Sequence, residues 1–269
     1  MQRIKILTKL AVVSITSLTC LTLSCSVHAQ NKDFIILESF QGQKIPRVVA
    51  GDARLARTSA SAASTFKVVI AWALLQEKIM DLDDTLEVGD RHVPGTPRHI
   101  NMRQALYYSS NDFFVEAAQK LGKETLTRYV RKSGLYEGTV PDDWLGEEWR
   151  PVVKGGALET TPIRNHLFMR TIAFGELDAD RNVLEKLRSA LAWPTEHPMI
   201  GLNGKTGVWG GAVWFNGFGS KQTKTRVATV FARGGVERRT EVVNLFYHQW
   251  GLRWSPEMNT SMETSSPKD

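Results

Sequence analysis

The chain has 269 residues, of which 42% are apolar and 23% charged, and its formal net charge is +6. This composition is typical of a globular protein with a sizeable core and excludes a wholly disordered or fibrous chain. The positive charge is modest, and no basic stripe with interleaved aromatic residues occurs, which argues against a nucleic-acid partner.

The first 29 residues have the features of a signal peptide. Arg3, Lys5 and Lys9 give a basic start, residues 11–23 are mostly apolar or small, and Val27-His28-Ala29 supplies small residues where a signal peptidase cleaves. The apolar run is too short and too interrupted by Ser and Thr for a transmembrane anchor. We therefore expect an exported protein, periplasmic or secreted, with no stable membrane span after cleavage.

Both cysteines, Cys20 and Cys25, lie in this segment, so the mature protein would have no thiol, as suits an oxidising compartment. A lipoprotein site at Cys25 fits poorly with the preceding Thr22-Leu23-Ser24. Cleavage removes three basic residues and no acidic ones, which leaves a net charge of +3. We predict one folded domain over residues 30–254 and a disordered polar tail over residues 255–269.

Strands are predicted at both ends of this domain and helices between them. The predicted strands cover residues 33–38, 47–50, 200–208, 212–218 and 225–232. The predicted helices cover residues 64–80, 101–111, 112–121, 123–133, 163–174, 181–191 and 236–249. Loops are expected at residues 89–97 and 134–156. The pattern predicts an α+β sandwich, with an antiparallel sheet flanked by helices and an inserted all-helical lobe.

The stretch Ser64-Thr65-Phe66-Lys67 precedes an apolar helical run and is the first candidate for chemistry. Serine is a favoured N-cap, so Ser64 is predicted to open the helix, with Lys67 one turn later on the same face. A hydroxyl beside an amine at a helix N-terminus is a nucleophile beside its base. An N-cap serine followed by a solvated lysine is the structural alternative.

Two further motifs follow in the chain, Ser109-x-Asn111 and Lys205-Thr206-Gly207. The three motifs in this order resemble those of the penicillin-recognising serine enzymes, the β-lactamases and D-Ala-D-Ala transpeptidases. The stretch from Ala63 to Lys67 is particularly similar to class D β-lactamases and related sensor domains. The resemblance covers roughly residues 34–252 and implies a β-lactamase/transpeptidase-like catalytic domain.

The resemblance also implies a role for each motif residue. Ser64 would attack a carbonyl, Lys67 would take its proton once burial and a cation such as Lys205 had lowered its pKa, and Ser109 would pass the proton to the leaving nitrogen. The remaining roles concern substrate: Asn111 holds its amide, Lys205, Thr206 and Gly207 with Arg239 hold its carboxylate, and the backbone N–H groups of Ser64 and Val208 form the oxyanion hole.

Simpler structural roles remain open for several of these residues. In the structural interpretation, Ser109 is only a helix cap together with Ser110, Asn111 is an ordinary turn residue, and Arg239 is a solvated charge beside Arg238. The later loop carries Trp144 and Trp149, for which this interpretation is core or lid packing. Its acidic members are expected to form a solvated face, with one of them as a possible activator of water: Asp142, Asp143, Glu147 and Glu148.

Deacylation is the step for which the sequence offers no assigned residue. Class D enzymes carbamylate the first-motif lysine with CO₂, and a loop tryptophan holds the carbamate. In this chain neither Trp144 nor Trp149 is in register, and Asn111 replaces a valine common in class D. Cofactors are therefore expected to be absent, with carbamylation of Lys67 the one option. The histidines show no metal-binding spacing, so no metal is predicted: His92, His99, His166, His197 and His248.

These observations predict an exported active-site-serine enzyme whose partners are β-lactams or peptidoglycan stem peptides. The first hypothesis is a class D-like β-lactamase acylated at Ser64. The second is a D,D-peptidase or transpeptidase acting on D-Ala-D-Ala termini, and the third is a receptor that stays acylated. All three require Ser64, Ser109 and Lys205 to meet in one cleft.

Overall fold

The computed structural model describes residues 33–221 and 224–259. The predicted signal peptide and residues 260–269 of the predicted tail lie outside these ranges. Of that tail, Pro256–Asn259 forms a 3-10 turn. The strands, in chain order, are β1 (Phe34–Phe40), β2 (Arg47–Gly51), β3 (Ala60–Ser61), β4 (Thr85–Val88), β5 (Arg98–Asn101), β6 (Glu159–Thr160), β7 (Ala192–Trp193), β8 (Ile200–Trp209), β9 (Ala212–Lys221) and β10 (Lys224–Arg233).

The helices lie mostly between β2 and β7 in the chain. They are α1 (Lys67–Gln76), α2 (Met102–Tyr108), α3 (Asn111–Leu121), α4 (Lys123–Ser133), α5 (Pro162–Phe174), α6 (Arg181–Ala190) and α7 (Arg239–His248). Four short 3-10 helices accompany them within residues 33–254: Ala53–Arg57, Ala63–Phe66, Arg150–Lys154 and Val236–Arg238.

Six strands form one antiparallel sheet in the order β2-β1-β10-β9-β8-β7. The predicted fold class, an antiparallel sheet flanked by helices with a helical lobe inserted, is confirmed. The five predicted strands are all present in this sheet. Three pairings were not predicted from the sequence, because each includes a strand of four residues or fewer: β3 with β6, β4 with β5, and β7 with β8.

Helices cover both faces of the sheet, as the strand alternation shows. Phe215 of β9 stacks on Phe246 of α7, with ring centroids 3.8 Å apart. The next residue, Asn216, must point to the opposite face, and its strand partner Thr229 meets His166 of α5 there. The helix α7 therefore covers one face, and α5 with the helical lobe covers the other.

The helix α1 runs through the centre of the helical lobe. Nine consecutive residues, from Lys67 to Leu75, are buried, as is expected of a helix that is apolar on every side. It packs against α3, α4 and α6, with the Trp72 ring edge-on to Tyr129 at 4.8 Å. This packing holds the first residue of α1, Lys67, in a fixed and dry position. Among the described residues, no helix has both the length and the hydropathy needed to cross a bilayer.

Candidate active site

Ser64 lies in the 3-10 turn Ala63–Phe66, which leads directly into α1. The prediction that Ser64 is the helix N-cap is wrong, because Ala62 takes the cap position of this turn and no side chain caps it. The backbone of Ala63 has a left-handed φ of 49°, so the chain turns sharply just before the helix. The Ser64 hydroxyl is thereby left to face Lys67, one 3-10 turn further on.

The Lys67 amine has four oxygen neighbours. Its Nζ lies 2.7 Å from the Ser109 carbonyl oxygen and 2.7 Å from Asn111 Oδ1, and 3.1 and 3.2 Å from the hydroxyls of Ser64 and Ser109. The two short contacts are to pure acceptors and must be N–H donations. A neutral amine has two N–H bonds and one lone pair, so its lone pair remains for a hydroxyl proton. The arrangement suits an uncharged Lys67 that accepts the proton of Ser64.

Burial lowers the pKa of Lys67 from 10.5 to about 7. The guanidinium of Arg150 lowers this pKa further, while the carboxylate of Asp90 opposes the change. Burial was the cause predicted from the sequence, but the contributing cation is Arg150 rather than Lys205. A substantial fraction of the protein therefore carries a neutral Lys67 at neutral pH.

Ser109 and Ser110 have separate tasks at the junction of α2 and α3. Ser110 is the N-cap of α3 and accepts from the N–H of Phe113 at 3.1 Å. Ser109 is the C-cap of α2, with a left-handed φ of 63°. This conformation turns both its carbonyl and its hydroxyl towards Lys67, so Ser109 is more than a helix cap.

The Lys205 amine lies on the other side of Ser109. Its Nζ donates to Ser109 Oγ at 3.0 Å and to the Thr206 carbonyl at 2.9 Å. The side chain is fully buried, and burial together with nearby Lys67 holds its pKa well below the ordinary value. Lys205 was expected to offer charge directly to a substrate carboxylate, but it lies behind the cleft wall. Its contact is with the bridging hydroxyl of Ser109.

Gly207 brings the strand β8 into direct contact with the Ser64 turn. A Cβ on Gly207 would lie 3.1 Å from Ala63 Cβ and 3.1 Å from the backbone nitrogens of Ser64 and Thr65. Any larger residue would push the strand away from the turn. The missing side chain therefore lets β8 approach Ser64, and Val208 follows Gly207 in this strand.

A cavity of about 460 Å³ opens beside Ser64. It is lined by the site residues and by aromatic and polar neighbours: Ser64, His92, Pro94, Tyr107, Tyr108, Ser109, Asn111, Thr206, Gly207, Val208, Val236 and Arg239. We call it the carboxylate-side cavity, because it is faced by Arg239, the residue expected to hold a substrate carboxylate. Arg239 has no acidic partner in the described part of the chain. Burial lowers the pKa of Arg239, whereas neighbouring Arg238 is paired with Glu241 at 2.8 Å.

The structure brings together all the residues that the three motifs predicted. Ser64, Lys67 and Ser109 form one hydrogen-bonded chain that continues to Lys205, and Asn111 closes it on the α3 side. Thr206, Gly207 and Val208 line the cavity, and so does Arg239, although it is distant in sequence.

Two acidic residues behind this site, Asp90 and Asp112, were not identified from the sequence. Asp90 is buried and accepts from Ser110 Oγ at 2.5 Å, and Arg150 binds Asp112 at 2.7 Å and approaches Asp90 at 3.9 Å. His92 also reaches the site, with Nε2 3.2 Å from the Ser109 carbonyl oxygen. Asp90 and His92 come from a loop, Asp112 from the first turn of α3 and Arg150 from the start of the 3-10 helix Arg150–Lys154, without motif spacing. An acidic residue in a loop otherwise rich in Gly and Pro was the available signal.

Both tryptophans of the later loop take part in packing. Trp144 is buried, donates from Nε1 to Thr127 Oγ1 at 2.9 Å and lies edge-on to Phe66 at 5.6 Å. Trp149 is partly buried against the same core. Of the acidic loop residues, Asp142 is exposed and pairs with Arg131 at 3.4 Å, while Glu148 lines a second cavity near Ser64.

No metal-binding cluster of three or more His, Cys, Asp or Glu side chains occurs among residues 33–221 and 224–259. His166 is buried between Ser39 and Thr229, with its ring nitrogens 2.8 and 3.2 Å from their hydroxyls. It therefore belongs to the core between α5 and the sheet and not to the cleft.

Comparison with known proteins gives one matching family model and several solved structures of similar fold. The family model of the penicillin binding protein transpeptidase domain matches residues 27–180. The BPu1 β-lactamase has a similar structure, with a TM-score of 0.72 and 18% identity over 84% of this chain and 95% of that chain. No curated protein sequence matches this chain.

Two further solved structures have the same fold. A class D β-lactamase from Bacillus subtilis gives a TM-score of 0.71 and 20% identity over 84% of this chain and 94% of its own. The class D β-lactamase YbXI from Nostoc gives a TM-score of 0.70 and 21% identity over 85% and 98%. At these identities the likeness shows the fold.

Proposed function

This chain belongs to the penicillin-binding-protein transpeptidase family, and from that premise we propose that it is an exported serine enzyme that penicillins acylate at Ser64. The observation that carries the proposal is the Lys67 amine, 3.1 Å from Ser64 Oγ, with its two N–H groups directed to other acceptors. A pKa of about 7 leaves this amine able to take the hydroxyl proton.

Acylation follows from the contacts of these groups. Lys67 removes the Ser64 proton as Oγ attacks the amide carbonyl, and the backbone N–H groups of Ser64 and Val208 would stabilise the oxyanion by about 3–4 kcal/mol each. The amide C–N bond then breaks. The proton moves from Lys67 through Ser109 Oγ to the leaving nitrogen, a path consistent with the 3.2 Å contact.

The substrate carboxylate would bind in the carboxylate-side cavity. Arg239 offers a guanidinium and Thr206 a hydroxyl on its surface. Lys205 would act indirectly, by donating to Ser109 Oγ so that this hydroxyl directs its own proton towards the leaving nitrogen. Penicillins and D-Ala-terminated peptides both carry such a carboxylate next to the bond that breaks.

The first candidate activity is hydrolysis of β-lactams, as in a β-lactamase. Carbamylation of Lys67 does not fit the residues present, because a carbamate would place two oxygens against the acceptor oxygens of Ser109 and Asn111. Trp144 is bonded to Thr127 and is not available to hold it. The neutral Lys67 amine is therefore the group we propose for activating water.

A second candidate, a D,D-peptidase, is favoured by one specific contact. Asn111 Oδ1 accepts from Lys67 at 2.7 Å, so its amide N–H₂ is left free to bind a substrate carbonyl. An amide at this position can donate a hydrogen bond to a backbone carbonyl of a peptide substrate. The family model, which describes a transpeptidase domain, supports the same reading.

One experiment separates these activities. The purified mature protein is incubated with a fluorescent penicillin and with nitrocefin, with and without bicarbonate. We expect covalent label and nitrocefin turnover that bicarbonate does not change. Stimulation by bicarbonate would contradict an uncarbamylated Lys67.

Label that persists without turnover excludes the β-lactamase. Release of D-Ala from a muramyl pentapeptide then identifies a peptidase, and no release identifies a receptor. Ser64→Ala should abolish labelling. If Ser64→Ala still takes up label, the nucleophile has been misassigned.

A further inference from the structure

A second cavity, of about 410 Å³, lies on the other side of Ser64. Three residues of its lining also face the carboxylate-side cavity, namely Ser64, Asn111 and Val208. The others belong to the 3-10 helix Arg150–Lys154 and its neighbours: Ala63, Glu148, Arg150, Pro151, Val153, Lys154 and Trp209. Ser64 thus stands at the junction of two cavities.

The position of Arg239 assigns the two cavities to the two halves of a substrate, an argument that rests on the proposed function. Attack by Ser64 breaks the amide C–N bond between an acyl half, which carries the carbonyl carbon, and a leaving half, which carries the nitrogen; in a β-lactam the two halves stay joined through the rest of the opened ring. The carboxylate is on the leaving half, and Arg239 lines the carboxylate-side cavity only. The side chain of the acyl half must therefore enter the second cavity, which we call the acyl-side cavity.

The cation Lys154 is available to a ligand in this cavity. Its Nζ lies 4.2 Å from the centroid of the Trp209 ring, and no acidic partner occurs for it in the described part of the chain. The Trp209 side chain is 54% exposed, so ring and amine together form a wall open to the cavity. A cation held on an aromatic face keeps its charge available to a carboxylate.

The carboxylate of Glu148 is likewise available to a ligand in this cavity. It is exposed, lines the same cavity, and has no basic partner among residues 33–221 and 224–259. The other charge in the lining is already committed, since Arg150 binds Asp112 at 2.7 Å and approaches Asp90 at 3.9 Å. The acyl-side cavity therefore presents one unpaired cation and one unpaired anion.

We propose that the acyl-side cavity selects acyl groups whose side chain ends in an amino-acid head group, with one carboxylate and one ammonium. The carboxylate would bind Lys154 over the Trp209 ring, and the ammonium would bind Glu148. A side chain with a carboxylate alone would be repelled by Glu148, and one with an ammonium alone by Lys154. A neutral aromatic side chain would leave both charges unpaired.

The test uses three cephalosporins with the same nucleus and the same 3-acetoxymethyl group, so that the leaving half is identical. Cephalosporin C carries an amino-acid head group, glutaryl-7-aminocephalosporanic acid a carboxylate alone, and cephalothin a neutral thiophene. The second-order acylation constant of each is measured by competition with a fluorescent penicillin. Each variant is compared with wild type, which cancels the intrinsic reactivity of each compound.

Lys154→Met should lower acylation by cephalosporin C and by the glutaryl compound about fivefold and leave cephalothin within twofold. Glu148→Gln should lower acylation by cephalosporin C but raise that by the glutaryl compound, because it removes a repulsion. Glu147→Gln, an exposed neighbour that does not line the cavity, is the matched control and should change none of the three.

The proposal is overturned if Lys154→Met and Glu148→Gln change all three constants by the same factor, or if Glu147→Gln reproduces the effect of Glu148→Gln. It is also overturned if Glu148→Gln lowers acylation by the glutaryl compound. Failure of the proposed function would look different, because the fluorescent penicillin would then not label wild-type protein at all.

Discussion

Two buried clusters of basic groups lie on the same face of the sheet and differ in what surrounds them. In the core cluster, the ring nitrogens of His166 meet the hydroxyls of Ser39 and Thr229. In the cleft cluster, the amines of Lys67 and Lys205 meet at Ser109 and adjoin a cavity. Burial lowers the pKa in both, to about 3 for His166 and to about 7 for Lys67.

The His166 imidazole and the Lys67 amine differ in whether a nitrogen lone pair is left available for chemistry. A neutral imidazole has one N–H and one lone pair, and two hydroxyls use both. The Lys67 amine has two strong acceptors for its N–H groups and keeps a lone pair directed at the Ser64 hydroxyl. Loss of charge by burial is therefore only a precondition for chemistry; the proposed function depends on the lone pair that Lys67 keeps beside a cavity. The predictions that follow test this distinction, from the largest expected effect to the smallest.

Replacing Lys67 in the cleft cluster should lower the activity and raise the stability of the protein. Lys67→Met removes the base, so acylation by benzylpenicillin should fall by about 10²–10⁴-fold. The fold should become more stable, because a buried amine with a pKa of about 7 binds its proton less readily than the unfolded chain does.

The size of that stability change depends on pH. The unfolded lysine holds its proton up to about 10.5, so the cost of burying the amine is complete below pH 7 and disappears as pH rises to 10.5. Thermal unfolding of Lys67→Met and wild type at pH 6 and pH 9 checks this. A lower melting temperature for Lys67→Met at pH 6 would contradict the account.

Replacing Arg239 should weaken substrate binding in the cleft without changing the pKa of Lys67, which is set by burial, Asp90 and Arg150. Arg239→Gln removes the guanidinium expected to hold the substrate carboxylate, and acylation by benzylpenicillin should fall about 10–100-fold. The pH midpoint of acylation should stay where it is. Arg238→Gln, which alters the neighbouring Glu241 pair, is the matched control and should leave acylation within about twofold.

The pH profile of acylation should report Lys67. The rate should fall tenfold per pH unit below a midpoint of about 7 and be level above it, since only the neutral amine accepts a proton. Asp90→Asn should move the midpoint to lower pH, because that carboxylate favours the charged amine. Arg150→Gln should move it to higher pH. Shifts in the opposite directions would show that another group controls the rate.

Replacing His166 should have the smallest effect on chemistry. His166→Ala should lower the free energy of unfolding by about 2–4 kcal/mol, through a cavity and two unpaired hydroxyls. Acylation and its pH midpoint should remain within about twofold of wild type under conditions where the protein is folded. Denaturant unfolding and the labelling assay measure the two quantities separately. A shifted midpoint would mean that the two clusters are coupled.

The sequence predicted those parts of the site that depend on local spacing. Ser64 and Lys67 are one turn apart whether the turn is 3-10 or α, so their contact survived the error about the N-cap. The long strands were predictable from their apolar runs. Ser109 and Lys205 could be brought to the same cleft only through the family resemblance, because 95 residues of chain separate them.

The parts that were missed depend on contacts between irregular segments. Asp90 and Arg150 approach each other across two loops, and no periodicity records such a contact. The strand β7 has only two residues and is held by its pairing with β8, which a pattern of apolar residues does not reveal. The burial of Lys205 was equally hidden, since a lysine in a strand is ordinarily expected to reach solvent.

The left-handed backbone of Ser109 has a consequence for protein engineering. Glycine or asparagine would adopt a φ of 63° with less strain, so a screen for thermal tolerance would tend to replace this serine. The substituted protein would gain robustness and lose the hydroxyl between the two lysines. Selection for shelf life would thus favour glycine or asparagine at this position, whereas selection for catalysis would favour serine.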